Sequence, residues 1–193
     1  MIAYLSGKFS YKSPTVVYVD VNGVGYEVNV SLNTYSQIQN QENGTLYTYL
    51  QIKEDGHTLY GFSDLAEKAM FVKLIGINGV GAATARMMLS SLRPDDITKA
   101  IVQSNTGLLE SIKGIGKKTA ERIVLELRDK IGKTDLEMTN SALIHNTLEQ
   151  DALFALQALG ISRPAAESAL KKVLNGNEKY NLEQLIKKAL QSI

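Results

Sequence analysis

The 193-residue sequence contains no cysteine, no tryptophan and only three prolines. Without cysteine the chain can form neither a disulfide framework nor a thiolate zinc site. Its two histidines, His57 and His145, are too far apart in the sequence to indicate a local metal cluster. We therefore expect no structural metal and no cofactor.

The sequence also lacks an apolar run of about 18 residues, the length typical of a membrane-spanning helix. Its first residues, MIAYLSGKFSY, include Lys8 and several polar residues too early for the apolar core of a signal peptide. These absences predict a soluble, cytoplasmic protein that has no membrane partner.

The chain as a whole has almost no net charge, since 21 Lys and Arg residues balance 20 Asp and Glu residues. The distribution along the chain is uneven. Residues 1–63 contain 3 basic and 5 acidic residues, residues 64–131 contain 11 and 8, and residues 132–193 contain 7 and 7. The middle segment is the basic one and the candidate for contact with a polyanion, although scattered surface charge explains so small an excess equally well.

Residues 2–62 carry the alternating apolar pattern of β-strands, as in TVVYVDV and YEVNV. The pair Asn22-Gly23 lies between two such runs and predicts a two-residue hairpin turn with positive φ angles. Further turn sequences, QENG and KEDG, divide this region, which we expect to be strand throughout, into about five strands. Five strands in about 60 residues favour a small closed barrel such as an OB-fold.

The apolar period becomes helical at Asp64, which is a predicted N-cap with Glu67 at the capping-box position. The pattern predicts a buried stripe on this helix at Leu65, Ala69, Phe71, Val72 and Ile75. Helices joined by short connections are predicted for the rest of residues 64–131.

The pattern changes again after residue 131. Residues 132–147 have no sustained period and are predicted to be a flexible linker. Residues 148–193 predict a small domain of three amphipathic helices, the first ending near Gly160 and the second with Pro164 in its first turn.

An internal duplication lies within residues 64–131. Gly79-Val80-Gly81 aligns with Gly114-Ile115-Gly116 at an offset of 35 residues, and the Thr-Ala pairs that follow align as well. Glycines let the backbone turn tightly and approach a partner closely. The first amides of the helix that follows are unpaired and lie at the positive end of its dipole. Such a loop is typical of an anion site, and a phosphate is the expected ligand.

The two copies resemble the helix-hairpin-helix motif of DNA-binding proteins. Tight helix packing explains a single copy at least as well, whereas two copies in register, the second followed by two lysines, favour DNA. The predicted DNA-binding residues are Asn78, Gly79, Val80, Gly81, Ala82, Ala83, Gly114, Ile115, Gly116, Lys117, Lys118 and Thr119. Because main-chain amides contact the sugar-phosphate backbone and read no bases, binding is expected to be independent of sequence and dependent on salt. The first loop contains no basic residue, so its contribution depends almost wholly on main-chain amides.

Enzymatic motifs are not recognisable. The nucleotide P-loop pattern fails in KGIGKKTAER, because Ser111 stands at the position of its first glycine and Lys118 at the position of its Ser or Thr. Neither a Gly-x-Ser-x-Gly elbow nor the acidic cluster of a two-metal nuclease is recognisable. The sequence predicts a binding protein without catalytic residues.

Four segments of the chain resemble the RuvA family, and the resemblance extends over its whole length. They are NGVGYEV (22–28), EDGHTLYGF (54–62), INGVG (77–81) and GIGKKTAERIVLELRDK (114–130). The resemblance implies an α+β multidomain protein with four parts. These are an OB-fold barrel for oligomerisation and the junction centre (1–63), a double helix-hairpin-helix domain (64–131), a flexible linker (132–147) and a UBA-like three-helix domain (148–193).

The same resemblance implies the function and the partners. It implies a non-catalytic subunit that binds four-way (Holliday) junction DNA in recombination, DNA repair and the SOS response to DNA damage. The implied partners are the hexameric RuvB ATPase, bound by residues 148–193, the RuvC resolvase in a larger complex, and further copies of the chain in a homotetramer or octamer. It also implies an acidic pin at Glu54 and Asp55, which would surround the crossover. Without the resemblance, an ordinary surface turn explains these two carboxylates better.

Other functions stay open at this stage. The hairpins fit a general duplex-binding subunit of another DNA repair enzyme. A glycosylase or ligase fragment is a further alternative, although a linker follows the second hairpin where a larger catalytic domain is needed. The tyrosine-rich barrel permits stacking on single-stranded nucleic acid, but the net negative charge of residues 1–63 opposes it.

Overall fold

The structure is a computed structural model of the chain, and it describes residues 1–128, 148–174 and 180–192. The chain divides into two compact units, Met1–Lys133 and Thr134–Ile193. The predicted linker falls outside the described residues. The predicted boundary between a barrel and a helical domain at residue 63 also stays a prediction, because both parts belong to the first unit.

The first unit begins with a closed five-stranded barrel. Its strands are β1 (Tyr4–Lys12), β2 (Val16–Val21), β3 (Val24–Val30), β4 (Asn43–Lys53) and β5 (Gly56–Phe62). They are ordered β1-β2-β3-β5-β4, and β3 and β5 are parallel while the other pairs are antiparallel. This arrangement confirms the predicted OB-fold. The barrel core consists of Leu5, Phe9, Val17, Val19, Val28, Val30, Ile38 and Leu46.

The predicted turn at Asn22-Gly23 is confirmed. Val21 and Val24 are paired across β2 and β3, so the loop has two residues. Asn22 has a φ of 52° and Gly23 a φ of 88°, which is the conformation that favours Asn-Gly in such turns. The carboxylate of Asp20 accepts a hydrogen bond from the Gly23 amide at 2.8 Å and holds the turn.

A short helix, α1 (Leu32–Ile38), interrupts the strands between β3 and β4. Ser31 is its N-cap, and the serine hydroxyl accepts the Thr34 amide at 3.0 Å. The expectation of strand throughout residues 2–62 is therefore wrong at these seven residues. A serine cap, worth about 1 kcal/mol, and a place for Ile38 in the barrel core outweigh the β propensity of the surrounding sequence.

The barrel is followed by further helices in the described part of the first unit. They are α2 (Leu65–Ile75), α3 (Ala82–Ser91), α4 (Pro94–Val102), α5 (Thr106–Glu110) and α6, which is described over residues 117–128. Helix α2 packs on strands β4 and β5. Phe71 of α2 lies 4.9 Å from Phe62 and 5.1 Å from Tyr60 between ring centroids. Both barrel aromatics belong to the same hydrophobic core as the helices. The helices that carry the hairpin loops therefore share a hydrophobic core with the barrel.

Helix α2 begins as predicted but buries a different face. Asp64 is the N-cap and accepts the Glu67 amide at 2.8 Å. The predicted stripe is wrong in part, because Leu65 is 59% exposed and Val72 is 44% exposed. The buried residues are Glu67, Met70, Phe71 and Leu74. The face is set by the barrel aromatics and by a polar contact that periodicity does not reveal.

That polar contact is made by Glu67, which does not complete a capping box. Its two carboxylate oxygens accept hydrogen bonds from the Ser31 hydroxyl and, at 2.6 Å, from the Thr34 hydroxyl. Each hydroxyl also accepts a main-chain amide, from Thr34 and Ser63 respectively, at 3.0 Å. Burial raises the pKa of Glu67, the two hydroxyl hydrogen bonds oppose that rise, and the nearby charge of Asp64 adds to it. The carboxyl group thus joins α1 to α2 inside the molecule.

The described residues of the second unit form three helices, α7 (Leu148–Ala158), α8 (Arg163–Leu174) and α9 (Leu182–Gln191). Gly160 has a φ of 90° just after α7, and Pro164 is the second residue of α8, as predicted. The core of this unit consists of Ala152, Leu156, Ala166, Ala169, Leu170, Leu185 and Ala189. None of the helices in the described ranges is both long and apolar enough to span a membrane.

Candidate nucleic-acid interface

The two glycine loops have the same backbone conformation. Gly79, between α2 and α3, has a φ of 93°, and Gly114, between α5 and α6, has a φ of 94°. The loops also make matching hydrogen bonds, from the Val80 amide to the Ile77 carbonyl at 3.0 Å and from the Ile115 amide to the Ile112 carbonyl at 3.1 Å. The duplication seen in the sequence is therefore a duplication of structure.

Apolar side chains anchor each loop in the core. Val80 and Ile115 are 4% and 5% exposed, and Ala82 is 6% exposed. The side chains of these three predicted DNA-binding residues therefore face inward and do not contact a ligand. Asn78, by contrast, is exposed, as are the glycines of both loops.

The two glycines of each loop differ in whether the backbone conformation requires a glycine. Gly79 and Gly114 have positive φ angles that L side chains rarely adopt. Gly81 has a φ of −81° and a ψ of 167°, which any residue adopts. A Cβ atom at Gly81 or Gly116 would meet nothing within 4 Å. Neither backbone conformation nor packing within the chain requires a glycine at these two positions, and both face open space.

Each loop leads directly into the first turn of a helix. Gly81 is the N-cap of α3, and no side chain caps the helix. The first amides of a helix have no acceptor inside it. In α3 these amides come directly after Gly81, which has open space beside it. In the second loop the Thr119 amide bonds to the Gly116 carbonyl at 3.0 Å, which tightens the first turn of α6.

Basic side chains flank the second loop. Lys117 and Lys118 are both exposed, and neither belongs to any of the ion pairs found among the described residues. The first loop has Ala82 and Ala83 at the corresponding positions. Ala83 is exposed, so it is the position of the two at which an added lysine could reach solvent.

Two arginines that sequence reasoning missed fix the first hairpin. Arg86, on α3, donates through Nη1 to the main-chain oxygen of Thr15 at 3.1 Å and to Oδ1 of Asn29 at 2.9 Å, both on the barrel. Arg122, on α6, donates through Nη1 to the main-chain oxygen of Asn78 at 3.0 Å. The second contact joins residues 44 positions apart, and no local pattern signals it.

The predicted acidic pin occupies the turn between β4 and β5. Lys53 and Gly56 pair across the two strands, which leaves Glu54 and Asp55 as the two-residue loop. Both are exposed. Within the described ranges neither carboxylate is in an ion pair, so the turn presents two uncompensated negative charges. Its role as a pin stays a prediction.

Three family models match the chain. Residues 1–61 match the RuvA N terminal domain, residues 71–129 match the SAM-like helix-hairpin-helix tandem, and residues 147–193 match the RuvA C-terminal domain. Together these ranges cover all but the last residue of the barrel, both glycine loops and the three described helices of the second unit.

Full-length relatives match as well. A protein of Cytophaga hutchinsonii is 46% identical over 99% of both chains. Proteins of Christiangramia forsetii and Flavobacterium psychrophilum are 43% and 44% identical over the whole of both chains. Each of the three is named Holliday junction branch migration complex subunit RuvA.

Proposed function

The chain belongs to the RuvA family, and from this membership we propose that it binds four-way (Holliday) junction DNA. It does so as the DNA-binding subunit of a branch migration complex. Recognition depends on DNA structure and is independent of base sequence. The chain holds the junction open and directs the RuvB ATPase to it, in recombination and DNA repair.

The repeated hairpin carries this proposal. Two loops with matching φ angles of 93° and 94° each present a glycine facing open space, immediately before the first turn of a helix. Unpaired amides at a helix N-terminus bind phosphate oxygens and carry no information about bases. Two such loops in one unit fit two phosphates of one duplex arm, and the charges of Lys117 and Lys118 add to the second.

Preference for a junction over plain duplex requires a further element, and the turn at Glu54 and Asp55 supplies it. An exposed carboxylate near a DNA phosphate is repelled, to a degree that falls with added salt. If copies of this turn meet at the centre of an assembly, they disfavour a continuous duplex across it and favour strands that separate there. Attraction then comes from the hairpins and discrimination from the barrel.

The assembly and the partners form part of the same proposal. The chain acts in the cytoplasm as a homotetramer, or as an octamer of two tetramers, and takes no catalytic step itself. Residues 148–193 dock on RuvB, and RuvC joins the larger complex. Exposed apolar side chains on α7 support a docking role for the second unit, since Phe154 is 57% exposed and Leu159, just after the helix, is 62% exposed.

Binding measurements with three DNAs test the proposal against its alternatives. The ligands are a four-way junction, a linear duplex with the sequence of two of its arms, and one of its single strands, each at two salt concentrations. We expect the junction to bind most tightly, with an affinity that falls steeply as salt rises. Equal affinity for junction and duplex indicates a general duplex-binding subunit, and tightest binding of the single strand indicates stacking on the barrel.

A further inference from the structure

The two hairpins differ in charge although their backbones match. Residues 77–85 contain no charged side chain, whereas the matching residues 112–120 contain three lysines. Ala83 stands opposite Lys118 at the offset of 35 residues. The first hairpin thus offers main-chain amides to a phosphate but no cation of its own.

The first charged residue that follows this loop in the chain, Arg86, forms its hydrogen bonds with the barrel. Arg86 is partly buried, and its Nη1 donates to two oxygen atoms of the barrel, those of Thr15 and Asn29. This arginine therefore fixes α3 on the barrel. It leaves the loop before α3 without a nearby cation from its own repeat.

The second repeat brings a cation to that loop. Arg122 is exposed on α6, and its Nη1 lies 3.0 Å from the main-chain oxygen of Asn78 in the first loop. A guanidinium group carries five N–H donors in a planar fork. The bond to Asn78 uses one of them, and among the described residues no other acceptor takes a hydrogen bond from this side chain.

We propose that Arg122 is the cation of the first hairpin, supplied by the second. It holds the Asn78 carbonyl in place and neutralises the DNA phosphate that the first hairpin binds, so that one guanidinium group bridges two oxygen acceptors. The contact is not reciprocal, because Met87 is the residue of the first repeat that corresponds to Arg122. The two hairpins then form one DNA-binding surface. This inference rests on the proposed DNA-binding function.

A set of variants separates this role from a purely structural one. Arg122→Met removes the charge and keeps an unbranched stem, Arg122→Lys keeps the charge without the fork, and Ala83→Lys places a cation on the first loop itself. Arg128→Met is the matched control, because Arg128 is exposed on the same helix and donates to Ser104, which belongs to neither glycine loop. Junction affinity is measured for each variant at four salt concentrations.

We expect Arg122→Met to lower junction affinity roughly tenfold at low salt and to reduce the salt slope by about 0.9 for each subunit that engages a phosphate. Arg122→Lys should retain the slope and lose part of the affinity, since one ammonium group does not bridge two acceptors as a planar fork does. Ala83→Lys should restore the slope in the Arg122→Met background and add less to the wild-type protein. Arg128→Met should change the slope less than Arg122→Met does.

Two results overturn the inference. One is equal loss of affinity and slope in Arg122→Met and Arg128→Met. The other is an equal gain from Ala83→Lys in both backgrounds, because independent sites give additive effects. Failure of the proposed function has a different sign, namely that the wild-type protein binds duplex as tightly as junction. In that case the affinities of the same variants for duplex still test the role of Arg122.

Hydrogen exchange without DNA tests the positioning half of the inference. Amides of residues 78–85 should exchange faster in Arg122→Met than in the wild-type protein, while those of the barrel core are unchanged. Unaltered exchange in the loop rules out a positioning role. Faster exchange throughout the first unit means that Arg122 supports the whole fold, and it too contradicts the inference.

Discussion

Gly79 and Gly114 adopt the same left-handed backbone conformation, with φ angles of 93° and 94°, at positions 35 residues apart. Each glycine is followed two residues later by another, Gly81 or Gly116, for which the fold gives no reason. The first glycine of each pair therefore serves the fold of the loop. The second leaves room for a partner to approach the main chain.

Substitution of these glycines by alanine separates the two roles. Gly79→Ala should lower the free energy of unfolding by roughly 1–3 kcal/mol, because alanine is strained at that φ. Gly81→Ala should leave it within about 0.5 kcal/mol of the wild type, yet weaken junction binding, because the new methyl group occupies the space that a phosphate approaches. Urea unfolding and a binding titration on the same preparations provide the check. Undiminished binding by Gly81→Ala would show that no ligand comes close to the loop.

The lysines after the second loop should account for much of the salt dependence. Lys117→Ala/Lys118→Ala should weaken junction binding and flatten the plot of log affinity against log salt by about 0.9 for each phosphate no longer neutralised. The matched control is Lys171→Ala/Lys172→Ala, an adjacent and exposed pair on α8. Equal slopes for the two double variants would argue against a phosphate contact at the second hairpin.

Neutralising the turn between β4 and β5 should impair discrimination rather than affinity. Glu54→Gln/Asp55→Asn should raise affinity for linear duplex by roughly fivefold to tenfold, the range expected from a few exposed charge interactions, and change junction affinity less. The control is Glu27→Gln/Glu42→Gln, which removes two exposed carboxylates from the same barrel. The measured quantity is the ratio of the two dissociation constants. If that ratio stays as in the wild-type protein, the turn is not a pin.

The buried carboxyl group of Glu67 should give stability a specific pH dependence. Burial raises its pKa above the ordinary value of 4.5, so its contribution to stability is fully present below pH 4.5 and is lost as the pH rises through the folded-state value. The unfolding free energy of the wild type minus that of Glu67→Gln is the quantity to follow. This difference should fall with rising pH, by at most about 1.4 kcal/mol per pH unit. Urea unfolding from pH 4.5 to 7.5 measures the difference. A difference that grows with pH would mean that the hydroxyl hydrogen bonds outweigh burial.

Local signals in the sequence predicted much of this architecture. Asn22-Gly23 predicted a turn because few other residues tolerate two successive positive φ angles, and the repeated Gly-x-Gly predicted both hairpins. Helix α1 was missed because it has only seven residues and lies among residues typical of strands. Its serine cap at Ser31 was the signal that could have revealed it.

Contacts between distant segments could not be predicted in the same way. Glu67 occupies the capping-box position, yet its carboxylate accepts hydrogen bonds from Ser31 and Thr34, more than 30 residues earlier in the chain. Arg122 and Asn78 meet only because the two repeats pack together. A helical period shows which positions are apolar, whereas the packing partner decides which face is buried. Side chains that join two elements are visible only in the structure.

Hydroxyl-radical footprinting of the wild-type protein on two four-way junctions with unrelated arm sequences tests the central claim most directly. We expect protection of the sugar-phosphate backbone on both strands of every arm, at the same distances from the crossover in both junctions, and no such pattern on linear duplexes of the same sequences. Protection that follows the base sequence, or that appears equally on the linear duplexes, would contradict recognition of junction structure by paired main-chain hairpins.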